Sequence, residues 1–268
     1  LTAVSLEDLY PTSADRERAA ETFAQDPAIA AIGGQPRNLV TLGGLVAFEV
    51  GVTYSAFVGL MSLLLVGRYT RGEEEAGRTE LILAGAVGRR APTAAALVVV
   101  AAADLAVGLG VALALVALGL PAAGSLSLGA WFAGNGILFA GLAALTAQLS
   151  RSKRAANGYA LAALALAWAL RAVGDAGDGT LTWLSPIGWG EEMHPFSGER
   201  WWPLALMAAG AAAATAGAFA LLERREVGAG LIADRPGPPA APTWLGTPTG
   251  LALRLARPAL IAWVVGMF

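Results

Sequence analysis

The chain has 268 residues, of which 56% are hydrophobic and only 14% are charged. Soluble domains average roughly 45–50% apolar and about 25% charged residues, so this composition excludes a soluble fold, which would leave too much apolar surface in water. The net charge of −2 and the lack of a basic stripe argue against a nucleic-acid partner. The absence of cysteine and the single histidine, His194, exclude disulfides, cysteine-ligated metals and a histidine-rich metal site within this chain.

Five apolar runs approach or exceed the length of about 20 residues that a helix needs to cross a bilayer. They are rich in alanine and glycine, which let helices approach closely in lipid, and we expect close contacts at Gly108 and Gly110. The sequence therefore predicts an all-α polytopic membrane protein with its transmembrane domain at 45–222. The predicted spans are about residues 45–66, 93–118, 126–149, 158–173 and 202–222, and a sixth span starts at 258–268.

Lysine and arginine are distributed unevenly between the loops, and 13 of the 18 fall in one set of alternating segments. That set consists of residues 67–92, 150–157 and 223–257. Because positively charged loops are retained in the cytoplasm, we predict that these segments are cytoplasmic. Residues 1–44 and the outer loop 174–201 are then predicted to lie outside, in a protein that crosses the cell membrane several times.

The segments between the spans have features of their own. The extracytoplasmic segment 1–44 is predicted to form short helices, one of them with Ser13 as its N-cap. The outer loop 174–201 is rich in tryptophan, which is typical of anchors at the membrane interface. Several prolines predict a cytoplasmic linker at 223–257. Since the chain starts outside without a methionine and stops within an apolar run, we expect it to be part of a longer polypeptide, preceded by one helix and followed by a second half.

The most informative cytoplasmic stretch is RYTRGEEEAGRTELILAGAVGRR at 68–90. Acidic residues favour the start of a helix, and Glu74 and Arg78 are four residues apart, a spacing that predicts an ion pair. We predict a short helix at about 71–85, charged first and apolar later, which lies along the membrane. It is either an ordinary solvated helix or a docking helix for a cytoplasmic partner. The docking residues would be Glu73, Glu74, Glu75, Arg78, Glu80, Leu81 and Leu83.

Ionisable groups in apolar runs are expensive in lipid and usually face the protein interior or a water-filled path. Glu49 and Asp104 are therefore candidates for a substrate path. The alternatives are an interfacial carboxylate for Glu49, which lies near the outer end of its span, and a buried structural hydrogen bond for Asp104. Arg171 and Asp175, four residues apart at an outer helix end, are predicted to form a structural ion pair.

The chain has no GxxxxGK[ST] loop, so it does not bind ATP by that route. An enzyme within the membrane would need a nucleophile, base or metal set, and neither the single histidine nor the scattered carboxylates provide one. Three classes remain open: a transport subunit driven by a separate ATPase, an ion-coupled secondary transporter, and a lipid-handling or scaffolding membrane protein. Paired intramembrane acids would favour the second class, and Asp104 is nearly alone.

Two groups of motifs resemble a known family. They are EAGRTELIL at 75–83 followed by AVGRR at 86–90, and RAVGD at 171–175 with WLSPIGW at 183–189 and PFSGERWW at 195–202. With them, nearly the whole chain resembles the membrane subunit of ABC exporters of the ABC-2 class, in particular the large actinobacterial antibiotic and multidrug exporter permeases, including those linked to tetronasin resistance. It departs from the family pattern in Arg78, inserted before Thr79, and in Ala86, where proline is common.

The resemblance implies an ABC-2 type transmembrane domain whose first motif is the coupling helix that meets a dimeric P-loop ABC ATPase. The chain would then be the N-terminal half of a permease, paired with a fused C-terminal half or a second copy. The implied function is export of hydrophobic or amphipathic compounds such as antibiotics and other drugs. No cofactor is implied for this chain, since ATP and Mg²⁺ would bind to the partner ATPase.

Overall fold

The computed structural model describes residues 2–232 and 242–267, which belong to two compact units divided between Ile232 and Ala233. Every regular element within these ranges is a helix, which confirms the predicted all-α class. In chain order the first unit contains α1 (Thr2–Leu9), α2 (Ser13–Gln25), α3 (Pro27–Gly33), α4 (Leu42–Gly67), α5 (Glu73–Glu75), α6 (Arg78–Leu83), α7 (Ala91–Ala117), α8 (Ala122–Ala147), α9 (Lys153–Ala176), α10 (Pro186–Glu191) and α11 (Trp202–Arg224).

Five of these helices, α4, α7, α8, α9 and α11, are long and apolar enough to cross a membrane, which makes the chain a polytopic membrane protein. The central helix is α8, which packs against the other four and has most of its residues buried. Following the predicted orientation, we call the end of the bundle where α4 and α8 finish the inner end. The opposite end, which carries α1 to α3 and α10, is the outer end.

The helices extend further than the apolar runs that predicted them. The first long helix starts at Leu42 and continues through a π-helical turn at Arg68–Gly72 into α5. The fourth span, predicted at 158–173, is a helix of 24 residues from Lys153 to Ala176. Ser152 caps its start, where the serine hydroxyl accepts the backbone N–H of Ala155 at 3.1 Å. An apolar run ends at the first charged residue. The helix itself extends further, because the polar groups at its ends form hydrogen bonds.

The N-cap predicted for the second outer helix was wrong by one residue. The Thr12 hydroxyl accepts the backbone N–H of Asp15 at 3.2 Å, and the Asp15 carboxylate in turn accepts the backbone N–H of Thr12. This reciprocal arrangement is a capping box. Ser13 instead lies at the first helical position of α2. Both residue types are good N-caps, and the acid three positions after Thr12 decides between them.

Small residues allow α7 and α8 to touch backbone to backbone. A side-chain carbon added to Gly129 would overlap the carbonyl oxygen of Gly108, and one added to Gly108 would overlap the carbonyl oxygen of Gly129. The close contact expected at Gly108 is therefore confirmed. The one expected at Gly110 is wrong, because nothing lies within 4 Å of a side chain added there.

The outer loop folds back onto the bundle. A 3-10 turn at Leu181–Leu184 leads into α10, which packs against α8, α9 and α11. The rings of Trp183 and Trp202 stack with centroids 5.2 Å apart, and the Trp189 indole donates a hydrogen bond to the carbonyl oxygen of Trp183 at 2.7 Å. The tryptophans thus close the loop on itself. Their role as interface anchors stays a prediction.

The second unit contains a 3-10 turn at Thr243–Gly246 and α12 (Pro248–Met267). The helix begins ten residues before the sixth span predicted at 258–268, so the C-terminal part of the linker predicted at 223–257 is helical. Residues 233–241, which include much of the predicted proline-rich linker, lie outside the described residues. The sixth span itself stays a prediction.

Replacing Gly129 by alanine tests the close contact between α7 and α8. The added carbon must push two backbones apart, and overpacking of this kind destabilises a fold by about 1–3 kcal/mol. We therefore expect Gly129→Ala to lower the apparent Tm in detergent by several degrees. Gly110→Ala is the matched control on the open face of α7, and it should leave the Tm unchanged or raise it, since alanine favours helix. Equal effects of the two changes would refute the close contact.

Candidate functional site at the inner end of the bundle

The inner segment, residues 68–83, connects α4 to α7 and includes most of the predicted docking helix. It consists of the π-helical turn, the single turn α5 and the short helix α6. Gly77 separates α5 from α6 with a φ of 71°, a left-handed conformation that glycine adopts at little cost. The single helix predicted at about 71–85 is therefore wrong, because the chain reverses its local conformation at Gly77.

The carboxylate of Glu74 lies between two guanidinium groups. Arg71 approaches it at 2.9 Å, and Arg225, the residue after α11, contacts its two oxygens at 2.6 and 2.9 Å. The side chains are 1–7% exposed, so the whole group is buried. We call Arg71, Glu74 and Arg225 the inner triad. An ion pair this deeply buried is stabilising only if its remaining donors are also satisfied.

The remaining donors of the inner triad are satisfied by the ends of other elements. The Nε of Arg71 donates to the carbonyl oxygen of Ala147, the last residue of α8, at 2.9 Å. This contact places a cation at a helix C-terminus, where carbonyl groups lack partners within the helix. The Nε of Arg225 donates to the side-chain oxygen of Gln148 at 2.7 Å. The inner triad therefore fastens the inner segment to the ends of α8 and α11.

The other two acids of the segment also have partners within the chain. Glu73 accepts hydrogen bonds from Arg78 at 2.5 and 2.7 Å, and Glu75 accepts the backbone N–H of Lys153, at the start of α9, at 2.5 Å. The predicted pair between Glu74 and Arg78 was wrong, because Gly77 turns Arg78 away from the helical spacing. The hydrogen bond to Glu73 raises the pKa of Arg78.

The exposed part of the segment is α6. Leu81 is 75% exposed and Ile82 is 46% exposed, and both are apolar residues at the inner end of the bundle. Glu80 is exposed as well, whereas Leu83 is half-buried and faces a cleft beside the inner triad. The predicted docking residues thus divide into two groups. Glu74 is buried in the inner triad, whereas Glu73 and Glu75 lie nearer the surface, where Arg78 and the backbone of Lys153 donate to them. The tip of α6 faces outward.

The two substrate-path candidates lie apart from this site and from each other. Glu49 is exposed on α4. Asp104 is fully buried, and one of its oxygens accepts a hydrogen bond from the Ser62 hydroxyl at 2.6 Å. A side-chain carbon added to Gly136 on α8 would meet the carboxylate at 2.5 Å. Asp104 therefore joins α4, α7 and α8, an environment that favours the structural alternative.

A second buried charged cluster lies at the outer end. Arg171 contacts Asp175 at 3.0 Å, as predicted, and both side chains are fully buried. Arg171 also donates to the carbonyl oxygen of Ala31 in α3 at 2.6 Å, and its guanidinium lies 4.8 Å from the ring centroid of Trp168. Asp175 in turn accepts a hydrogen bond from Thr182 at 2.7 Å. This pair holds the short outer helices on the bundle.

Glu191 is a buried member of this outer cluster that no sequence pattern identified. Its carboxyl accepts the backbone N–H of Gln35, just after α3. Burial and the neighbouring negative charge of Asp175 raise the pKa of Glu191 to about 8. Beside it, Arg37 pairs with Glu192 at 2.7 Å. Glu191 lies in a short loop helix among glycines and tryptophans, so neither periodicity nor motif distinguishes it from the exposed acids nearby.

Neutralising Glu74 tests the inner triad. Glu74→Gln leaves two buried guanidinium groups without a counter-charge, and breaking a buried pair in this way costs about 3–5 kcal/mol. We expect a large fall in Tm in detergent, or loss of folded protein. Glu80→Gln is the matched control, since Glu80 is exposed on α6, and it should stay within about 0.5 kcal/mol of the wild type. A stable Glu74→Gln variant would contradict the buried triad.

The raised pKa of Glu191 predicts a pH dependence of stability. The folded chain binds this proton more tightly than the unfolded chain, so the stability it contributes is complete below the ordinary pKa of 4.5 and is lost as the pH rises through about 8. Thermal unfolding measured from pH 5 to 9 should show a decline that Glu191→Gln reduces. Glu199→Gln in the same outer loop should keep the wild-type profile. An unchanged profile in Glu191→Gln would refute the role of this proton.

Among the described residues no group of three or more histidine, cysteine, aspartate or glutamate side chains is placed to hold a metal ion.

No protein-family model matches the chain. It is 43% identical over 263 residues to the multidrug efflux system permease protein Rv1217c of Mycobacterium tuberculosis (strain ATCC 25618 / H37Rv). The similarity covers 98% of this chain and 48% of that permease, so the chain spans about half the length of its relative. The resemblance carried by the motifs is thus confirmed: along almost its whole length this multi-pass protein of the cell membrane is similar to a multidrug efflux permease.

Proposed function

We propose that the chain is the transmembrane part of an ABC-2 type exporter permease, which moves hydrophobic or amphipathic compounds such as drugs out of the cell. The name of its relative supports efflux, and five apolar helices support passage through a membrane. The energy would come from a P-loop ABC ATPase, which binds ATP and Mg²⁺ and acts as a dimer. The observation that carries the proposal is the exposed apolar tip of α6, held on the bundle by the inner triad.

The geometry suggests how motion reaches the spans. ATP binding closes the ATPase subunits, and that movement needs a stiff contact with the membrane domain. Leu81 and Ile82 on α6 provide apolar surface for such a contact. Behind them, the inner triad transmits force to α8 and α11, and Glu75 transmits it to α9 through Lys153. A displaced α6 would therefore move the inner ends of three spans together.

The second permease half and the transported compound need an apolar surface as well. A groove with a volume of about 460 Å³ runs between α4 and α9. Its lining is almost entirely apolar and includes Phe57, Leu60, Leu164 and Trp168. We propose that this groove faces the second half, either a fused C-terminal half or a second copy, and that hydrophobic compounds pass beside it.

Removing the apolar tip of α6 tests the coupling role. The double variant Leu81→Ser, Ile82→Ser should fold normally, because both side chains are exposed. It should lose co-purification with the proposed P-loop ATPase and should lose drug-stimulated ATP hydrolysis. The matched control is Leu231→Ser, Ile232→Ser, which removes two aliphatic side chains elsewhere at the inner end. Leu231 is 40% exposed and Ile232 is 50% exposed. Normal ATPase binding by the α6 variant would refute the proposal, as would equal loss in both variants.

Cysteine labelling tests the proposed orientation, since the chain has no cysteine of its own. Ser13→Cys at the outer end and Ala86→Cys at the inner end both introduce exposed thiols. With other cysteines of the protein replaced, a membrane-impermeant maleimide should label residue 13 in intact cells. Residue 86 should react only after permeabilisation. The reverse pattern would overturn the orientation and with it the docking of an ATPase on α6.

A further inference from the structure

Glu49 is a carboxylate to which the folded chain gives no partner. It lies on the outer part of α4, where its side chain is exposed and makes no hydrogen bond or ion pair within the described residues. Asp104, the other acid in a predicted span, accepts a hydrogen bond from Ser62. An ionised group on a membrane-spanning helix is expensive beside lipid, and such groups usually face a partner or a water-filled path. Glu49 is therefore available to pair with a cation from outside the described part of the chain.

Glu49 lies at the outer mouth of the apolar groove between α4 and α9. Thr53 lines this groove and follows Glu49 by one helical turn, which places both side chains on one face of α4. Phe57 and Leu60 continue the lining towards the inner end, and Trp168 of the antiparallel α9 borders its outer part. The groove has a volume of about 460 Å³. Pockets for drug-sized molecules range over about 300–1,000 Å³, so the groove is large enough for such a ligand.

The walls of the groove suit an organic cation. None of the described residues that line it is charged, and two of them are the aromatic residues Phe57 and Trp168. Phe57 is 59% exposed, and the face of an aromatic ring attracts cations. The guanidinium of Arg171 lies 4.8 Å from the ring centroid of Trp168, but it is fully buried and paired with Asp175. The charge of Glu49 at the mouth is therefore not compensated by a cation of the groove itself.

We propose that the groove binds amphipathic organic cations, whose positive group pairs with Glu49 and whose apolar body lies against Phe57 and Trp168. Such molecules match the site because the carboxylate lies at one end and the apolar walls extend from it along the span. A neutral compound would leave Glu49 unpaired, and an anion would be repelled by it. The inference rests on the proposed exporter function and names the class of compound exported. The cation would be enclosed between α4, α9 and the second permease half.

Equilibrium dialysis of the permease in lipid nanodiscs tests the preference for cations, with empty nanodiscs as the blank. Two probes of nearly the same shape are compared, the cation methyltriphenylphosphonium and the neutral triphenylphosphine oxide. The wild type should bind the cation more tightly than the neutral probe. Glu49→Gln should weaken binding of the cation about tenfold, as expected for loss of one contact between opposite charges. It should leave binding of the neutral probe unchanged.

Two further variants separate the charge from the apolar walls. The matched control is Glu17→Gln, which removes an exposed acid of α2 at the same end of the bundle but outside the groove lining. It should bind both probes like the wild type. Phe57→Ala should weaken binding of both probes, because it removes part of the wall. The replaced side chains are exposed, so none of these variants is expected to impair folding, and unchanged binding of the neutral probe shows that the groove of Glu49→Gln is intact.

The proposal is overturned if neither probe binds, if the wild type binds both equally, or if Glu49→Gln and Glu17→Gln affect the cation alike. Stimulation of ATP hydrolysis by each probe, measured in the assembly with the ATPase, tests the exporter function separately. If the neutral probe stimulates hydrolysis but the cation is not bound more tightly, only the cation site is refuted. If the cation binds as expected but neither probe stimulates hydrolysis, the exporter function is refuted instead.

Discussion

The buried carboxylate of Glu74, held between Arg71 and Arg225, is the interaction on which the inner end of the bundle depends. Transfer of two cations and one anion from water into the protein interior is strongly unfavourable unless other groups compensate for the lost hydration. Compensation comes from the carbonyl oxygen of Ala147 and the side-chain oxygen of Gln148 at the end of α8, and from the carbonyl oxygen of Ala229 after α11. The inner segment can therefore take this conformation only when those helix ends are in place. A movement of the helix ends would move the inner segment with them.

A corresponding cluster at the outer end gives the bundle a second fixed point. Arg171, Asp175 and Glu191 hold α3 and α10 against α9 through buried ion pairs and hydrogen bonds. Between the two clusters, α8 packs closely against its neighbours, and Gly129 brings its backbone against that of α7. Charged groups thus fix the two ends, and small residues allow close packing between them. Such a bundle transmits a displacement from one end more readily than one held by exposed charges, which contribute about 0–1 kcal/mol each.

Composition and apolar run length predicted the helical membrane fold, and the motifs at 75–90 and 171–202 predicted the permease resemblance. Local patterns failed where a distant residue decides the outcome. The spacing of Glu74 and Arg78 predicts a pair, but Arg225, 151 residues away, takes Glu74 instead. Nothing near Glu191 in sequence shows that Gln35 and Asp175 bury it. The sequence shows Gly77 but not its conformation. Its left-handed backbone divides the segment into two short helices, although the spacing of acidic and apolar residues favours a single helix.

The central claim is that the inner segment and α11 move as one body. Pulsed electron spin resonance between labels at Ala84→Cys and Arg224→Cys, both at exposed positions, measures this directly in the assembly with its ATPase. A rigid inner triad predicts one narrow distance distribution that is the same without nucleotide and with trapped ATP. It also predicts that Glu74→Gln broadens this distribution. A distance that shifts or splits on ATP binding in the wild type would contradict the claim, because the segment would then move independently of the span to which the triad fastens it.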